Sequence, residues 1–376
     1  MYDQIREDTL FIILYSVVTA MAAVASVYLL LRRANAFAPD VTPPVRLRRW
    51  TAVFFAVFAL NHVWYMPIFF LSSSEDIRMC DLIGGLLDSM TVLPLTIVVL
   101  LTMLQDRRRP LWPACVMFAP LVAGNAWCVA TLSYDLLPLL YVYFLLMCIG
   151  LIIYVVRALR QYGRWLRDNY ADLEHKEVWQ SFVVLAIVLL VFVVYALTSE
   201  GPIYIYIMLV VSAMLVCFLL WRVETLCDLN TPIQSDTVIA VDDVAEETVI
   251  AENVEDEAPL SIRNNIGPLL KQHCEEPQLY LQYDVSISQL ATLIGINRSY
   301  LSKHFALQGI TYNAYINGLR IQHFINLCHE VAATHQPLSV QQLALQSGFR
   351  SYSTFNAAFK QSMGTTATEW MRNVAK

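Results

Sequence analysis

The sequence predicts an all-α chain: a seven-helix transmembrane bundle followed by a cytosolic, all-helical double helix-turn-helix domain. Three observations predict it. Long apolar runs fill the first 60% of the chain, and a stretch rich in Asp and Glu follows them. Near the C-terminus the pattern Gln289-Leu290-Ala291 with Gly295 returns as Gln342-Leu343-Ala344 with Gly348. The expected boundaries are 1–222 for the membrane domain, 223–258 for an acidic linker and 259–376 for the C-terminal domain.

Of 376 residues, 57% are hydrophobic and only 15% charged, well outside the range of soluble globular chains. The excess lies in seven runs, about Leu10 to Leu31, Thr51 to Leu71, Leu82 to Leu104, Leu111 to Thr131, Leu136 to Val156, Val178 to Thr198 and Pro202 to Trp221. Each is long enough to cross a bilayer as a helix, the form in which a single segment satisfies its own backbone hydrogen bonds in lipid. Pro67, Pro94, Pro113 and Pro120 are expected to kink spans two to four.

Orientation follows from the Lys/Arg bias of the loops. Arg32, Arg33, Arg46, Arg48 and Arg49 follow the first span, Arg107, Arg108 and Arg109 the third, and Arg157, Arg160, Arg164, Arg167 and Lys176 the fifth. The opposite loops offer Arg78 and the N-terminal tail Arg6. The N-terminus is therefore expected outside, with the C-terminal domain in the cytoplasm of a bacterial cell whose inner membrane the chain crosses. Ala34-Asn35-Ala36 resembles a signal-peptide cleavage motif, but the apolar stretch before it is too long and its positive charge lies after it. The outer loops are short, so a signal is expected from within the membrane or from a partner protein. Cys80 and Cys128 both fall near the outer face, either as small buried hydrophobes or as a disulfide pair.

From Glu224 to Glu257 there are eleven acidic residues and no Lys or Arg. Such a stretch cannot bury enough apolar surface to fold, and reads as a solvated tether. From Ser261 onward nine Lys/Arg face five Asp/Glu, which reverses the sign and suits a phosphate-facing surface.

In the first repeat, Ile287, Leu290, Ala291 and Ile294 recur at helical spacing, with Ser288 expected to cap that helix. Gly295 and Ile296 make the turn, and Asn297 caps a second helix with Leu301 and Phe305 inward. Arg298, Ser299, Ser302 and Lys303 are left to face outward, where Arg and Lys can donate to guanine in the major groove. The second repeat uses Val340, Leu343 and Ala344, then Gly348 and Phe349, then Phe355 and Phe359 inward, with a turn one residue longer. Arg350 and Lys360 are its candidate phosphate contacts, and Tyr352, Ser353 and Asn356 its candidate base readers. Between the repeats, Tyr312 to Cys328 reads as a spacer helix able to hold both readers in successive major grooves, roughly 34 Å apart.

These residues resemble the AraC/XylS-type regulators. The resemblance rests on Leu290-Ala291, Gly295, Asn297 to Ser302, Gly309, Tyr315-Ile316-Asn317, Arg320-Ile321, Gly348-Phe349, Ser351, Phe355, Phe359-Lys360 and Gly364, over about 115 residues. It implies a compact helical domain that binds promoter DNA, with base-facing positions at Arg298, Ser299, Ser302, Lys303, Tyr352, Ser353 and Asn356. Phe324 departs from it where alanine is usual, Ala367 where proline is frequent and Met371 where arginine is common.

The membrane half carries no comparable resemblance. Polar residues inside lipid are costly and so are candidate sites: Asn61, His62, Asp88 and Asn125 read either as interhelical hydrogen-bond glue or as a pocket for a membrane ligand. The last span has no lysine for a retinal Schiff base, and the His and Cys residues keep no metal-finger spacing. No enzyme chemistry, cofactor or metal is expected. The expected partners are promoter DNA, the lipid bilayer, a second copy of the chain, and a membrane ligand or partner protein. Two other classes stay open at this level: a transporter or membrane enzyme with a self-regulating tail, and a membrane-tethered interaction scaffold.

Overall fold

The computed structural model describes residues 8–374 apart from 33–34, 40, 72, 108, 111, 199–201, 230–265 and 335–338. The expected linker from 230 onward thus lies outside the described residues, while 223–225 continue the preceding helix. Among the described residues every regular element is helical, with one isolated antiparallel bridge. The chain divides into two compact units, one of residues 1–162 and 175–232, the other of 163–174 and 233–376.

The first unit contains α1 (Thr9–Leu31), α2 (Val45–Tyr65), α3 (Ser74–Met90), α4 (Val92–Met103), α5 (Trp112–Thr131), most of α6 (Leu137–Asn169), α7 (Trp179–Thr198) and α8 (Pro202–Thr225). Among the described residues, five stretches are long and apolar enough to cross a membrane: Thr9–Leu31, Val45–Phe69, Ser74–Met103, Leu137–Asn169 and Tyr206–Thr225. The two other expected spans fall on α5 and α7, which are not among these five.

Two of the four prolines coincide with a helix end or break. Pro67 sits in a 3-10 turn, Met66–Phe69, that ends α2. Pro94 lies four residues after Met90, so its ring excludes a helical hydrogen bond to the Met90 carbonyl; the chain breaks between α3 and α4 at Thr91. Pro113 is in the first turn of α5, where it costs no hydrogen bond, and Pro120 lies inside that helix.

Phe11 and Val18 of α1 are buried with Leu209 of α8, and Ser26 Oγ donates to the Ala52 carbonyl of α2 at 2.8 Å. A second core gathers Leu82, Ile97, Phe118, Leu121, Cys128, Leu140 and Met147. Cys80 and Cys128 are both buried free thiols, which is the first of the two expected states. Not all of the loop cations are free to face solvent. Arg109 is buried in an ion pair with Asp106 at 2.7 Å, and Lys176 is buried as well.

The second unit is built around α11 (Tyr312–Thr334), with α9 (Ile287–Ile294) and α10 (Arg298–Leu307) before it and α12 (Val340–Gln346), α13 (Tyr352–Met363) and α14 (Ala367–Val374) after it. It has two cores. Tyr312 and Ile316 of α11 join Ile287, Leu290, Ala291, Leu301 and Phe305, whereas Ile321 and Phe324 of the same helix join Leu343, Ala344, Phe349, Phe355 and Phe359. The spacer helix is thus a shared wall of both cores. Phe324, larger than the alanine usual in the resembled family, fills the second core, with ring centroids 4.6 Å from Phe355 and 5.7 Å from Phe359. Ala367 is fully buried in that same core.

Candidate nucleic-acid interface

Each repeat is a helix, a turn and a second helix, and the structure explains why glutamine opens both copies. Ser286 Oγ accepts the backbone N–H of Gln289 at 3.3 Å, while Gln289 Oε1 accepts the Ser286 N–H at 2.8 Å. Ser339 and Gln342 make the same reciprocal pair at 3.2 and 2.9 Å. These are capping boxes, in which the third helical residue satisfies the N-cap amide. The cap of α9 is therefore Ser286, not the expected Ser288, whose carbonyl instead accepts from the Thr292 hydroxyl.

Gly295 ends α9 at φ 75°, in the left-handed region, and the Ile296 N–H returns to the Ala291 carbonyl at 3.0 Å. Gly348 takes φ 88° and is walled in: a Cβ there would sit 2.7 Å from Leu281 Cα and 3.0 Å from the Tyr280 and Leu281 carbonyl oxygens. Asn297 Oδ1 caps α10 by accepting the Ser299 N–H at 2.9 Å, and Ser351 caps α13 from Thr354 N at 3.3 Å.

The expected reading positions fall on the outer sides of α10 and α13. Arg298, Ser299 and Lys303 are exposed and Ser302 half-buried, one turn above Ser299. On α13, Ser353 and Lys360 are exposed, while Tyr352 and Asn356 are half-buried. The Tyr352 ring leans on Phe355, which leaves its hydroxyl at the surface near Thr368. Asn356 Oδ1 is a buried acceptor with no hydrogen-bond donor among the described residues. Arg298 and Arg350 carry partners within this unit: the Arg298 guanidinium donates to Asn169 Oδ1, and Arg350 Nη1 lies 3.7 Å from Asp284 and 3.8 Å from Asp172.

Arg320, one of the nine cations counted toward a basic surface, is buried at 1% exposure. Its Nε donates to the Tyr280 carbonyl at 2.7 Å, and Nη2 to the carbonyls of Gln282 and Tyr283 at 2.7 and 3.2 Å. Its guanidinium also lies 5.6 Å from the centroid of the Phe349 ring. Burial pushes its pKa down to about 10 against the opposing charge of Asp172, which leaves it protonated at neutral pH. Arg320 is therefore a strut between α11, the 280–283 loop and the turn of the second repeat, not a phosphate ligand.

In the first unit the structure brings together two of the four expected polar residues and adds a third. Asn61 Nδ2 donates to Asp88 Oδ1 at 2.7 Å, and the Tyr65 hydroxyl donates to Asp88 Oδ2 at 2.9 Å. Tyr65 was not singled out because a tyrosine in an apolar helix is ordinarily read as bulk; its spacing of four from Asn61 carried the signal. His62 turns away, with Nδ1 3.0 Å from the Phe58 carbonyl and its ring against Tyr15 and Phe58. Asn125 Oδ1 lies against Gly85, about one turn from Asp88 along α3.

Residues 290–373 match the family described as a helix-turn-helix domain. Over 92 residues, 24% of this chain, the sequence is 32% identical to an uncharacterized HTH-type transcriptional regulator of Staphylococcus aureus (strain MRSA252). It is 30% identical over the same length to HTH-type regulators of Staphylococcus aureus strains COL and N315. In each case the match covers 12% of the relative, so the chain spans only a small part of the proteins it resembles. No solved structure matches the chain. The C-terminal helices thus form a helix-turn-helix domain similar to that of named transcriptional regulators.

Proposed function

We propose that the chain is a membrane-held, one-component transcription regulator of the AraC/XylS type. The single observation that carries the reading is the pair of capped helix-turn-helix units on one shared helix. Each presents its own outward polar set, Arg298, Ser299, Ser302 and Lys303 on one and Tyr352, Ser353 and Asn356 on the other. Lys303 would donate to guanine and Asn356 to adenine, while Arg350 and Lys360 hold phosphates.

Seven spans would hold this domain in the cytoplasmic membrane with its N-terminus outside and its reading heads in the cytoplasm. The Lys/Arg bias of the loops supports that orientation, and so do the apolar side chains left exposed on the helices, among them Val24, Leu30, Leu139, Leu146 and Met214, which lipid would cover. The spans would sense a signal by favouring one of two membrane-domain states, and self-association is one lever they could use. The Asp88 carboxylate has both oxygens occupied, the pattern of an interhelical clamp. A ligand would act there by taking over the bond from Asn61 or Tyr65.

The test is fluorescence anisotropy of the full chain in lipid nanodiscs, with duplexes from upstream of its own coding sequence and scrambled controls, at several salt concentrations. The regulator reading expects preferential binding of a subset of duplexes, with affinity falling steeply as salt rises. Equal affinity for genomic and scrambled duplexes would sink it.

A further inference from the structure

The second unit includes a segment far from the rest of it in sequence: the last turns of α6 and the residues after it, 163–174. Tyr170 pairs antiparallel with Ser286, at the cap of α9. The Ala171 N–H donates to the Val285 carbonyl at 3.3 Å, and the Ala171 carbonyl accepts from Asn313 Nδ2 at 2.6 Å. Ala171 itself is buried in the first core, so the segment is anchored and not merely laid on the surface.

On either side of that anchor its polar side chains reach both reading heads. Asn169 Oδ1 accepts from Arg298, the first residue of α10. Asp172 lies 3.8 Å from Arg350, in the turn before α13, and Glu174 Oε2 accepts from Thr354 Oγ1, in the first turn of α13, at 3.2 Å. Two carboxylates and an amide oxygen therefore occupy donors at the N-terminal ends of both second helices. Helix N-termini with basic side chains are where phosphate oxygens are ordinarily held.

We propose that residues 169–174 are an internal competitor of DNA, a short anionic segment that occupies Arg298, a base-facing position, and Arg350, a phosphate contact, in place of DNA. The inference rests on the DNA-binding reading above. It adds that only molecules in which the segment has left both arginines are competent to bind. Apparent affinity is then the intrinsic affinity scaled by that competent fraction, and any event that loosens the segment strengthens DNA binding. The segment is the covalent continuation of α6, so a change in that helix is the natural place for such an event to begin.

Two measurements on the full chain in lipid nanodiscs test this. The first is DNA affinity of the variants Asn169→Ala and Glu174→Gln, and of the double variant, on an upstream duplex and a scrambled one. Removing one charge-assisted contact should raise affinity by up to about tenfold on both duplexes, because the competent fraction rises whatever the sequence. Asp172→Asn is a harsher variant, since Asp172 is buried beside Arg320 and its loss bears on folding. The second measurement avoids substitution altogether: hydrogen exchange of the 163–174 peptide in the unsubstituted chain, with and without saturating duplex. The amides of 170–172 should lose protection when duplex binds. Unchanged or weaker affinity in the folded variants, or full protection of 170–172 with duplex bound, would overturn the proposal. Absence of any duplex binding by either form would instead overturn the DNA-binding reading itself, and the proposal with it.

Discussion

Replacing Gly348 with alanine should destabilise the second unit far more than the same change at Gly295, although the two glycines hold the same place in two copies of one motif. Both have positive φ, 88° and 75°, so each alanine would bear the left-handed cost of about 1–2 kcal/mol. Only Gly348 has a wall. A Cβ there would meet Leu281 Cα at 2.7 Å and two carbonyl oxygens at 3.0 Å, all backbone atoms that cannot swing aside, whereas nothing lies within 4 Å at Gly295. Overpacking of that kind adds about 1–3 kcal/mol, giving roughly 2–5 kcal/mol for Gly348→Ala. A direct assay is pulse alkylation of Cys274 across a urea series on the full chain, read by mass spectrometry. Cys274 is fully buried in the first core, and burial pushes its thiol up to about 12, so it reacts only when that unit opens. At about 1–3 kcal/mol per molar urea, Gly348→Ala should lower the midpoint by roughly 1–3 M and Gly295→Ala by about 1 M or less. Equal midpoints, or a larger loss at Gly295, would refute the close-approach argument.

Arg320→Leu should cost about 3–5 kcal/mol in the same assay, because the buried Tyr280 carbonyl and the partly buried Gln282 and Tyr283 carbonyls lose their donor; an unchanged midpoint would remove Arg320 as the strut. Gln342→Ala removes half of the second capping box and should cost about 0.5–1 kcal/mol, seen as faster amide exchange in the first turn of α12. Lys303→Ala should relax sequence preference at a nearly constant slope of log affinity against log salt, as a base contact requires; a slope reduced by about one with preference intact would mark a phosphate contact instead. Asn356→Ala should reduce discrimination between duplexes by about 1–3 kcal/mol while leaving scrambled-duplex binding unchanged.

What was legible in the sequence was periodic. Apolar spacing of three and four placed the inward faces of α9, α10 and α13, because a helix repeats every 3.6 residues wherever it packs. The turn glycines were legible because few other residues accept positive φ. Caps were half-legible: Ser288 was a reasonable choice by residue type, yet the Ser-x-x-Gln spacing beginning at Ser286 and Ser339 was the stronger signal, since it satisfies two amides at once. Arg320 was misleading, because a guanidinium counts as surface charge until tertiary structure supplies carbonyls to neutralise its isolation. Phe324 departed from the resembled pattern in size but not in face, and two aromatic neighbours accommodate it. Within the first unit, Asn61 and Asp88 were visible one by one, whereas the pairing of Asn61 and Tyr65 on Asp88 depends on how α2 and α3 pack. The pairing of residues 170–174 with the C-terminal unit left no local mark, since a contact across more than a hundred residues leaves no periodic trace.

The central claim is that a protein held in the membrane reads DNA through two unequal heads. It is tested most directly by crosslinking in cells, isolating the membrane fraction and sequencing the DNA captured with the full chain. The account expects a discrete set of sites sharing a bipartite motif, its halves about one helical turn apart, with enrichment lost at one half in a Lys303→Ala variant and at the other in Asn356→Ala. Uniform genomic background, or the same sites captured with both variants, would contradict it.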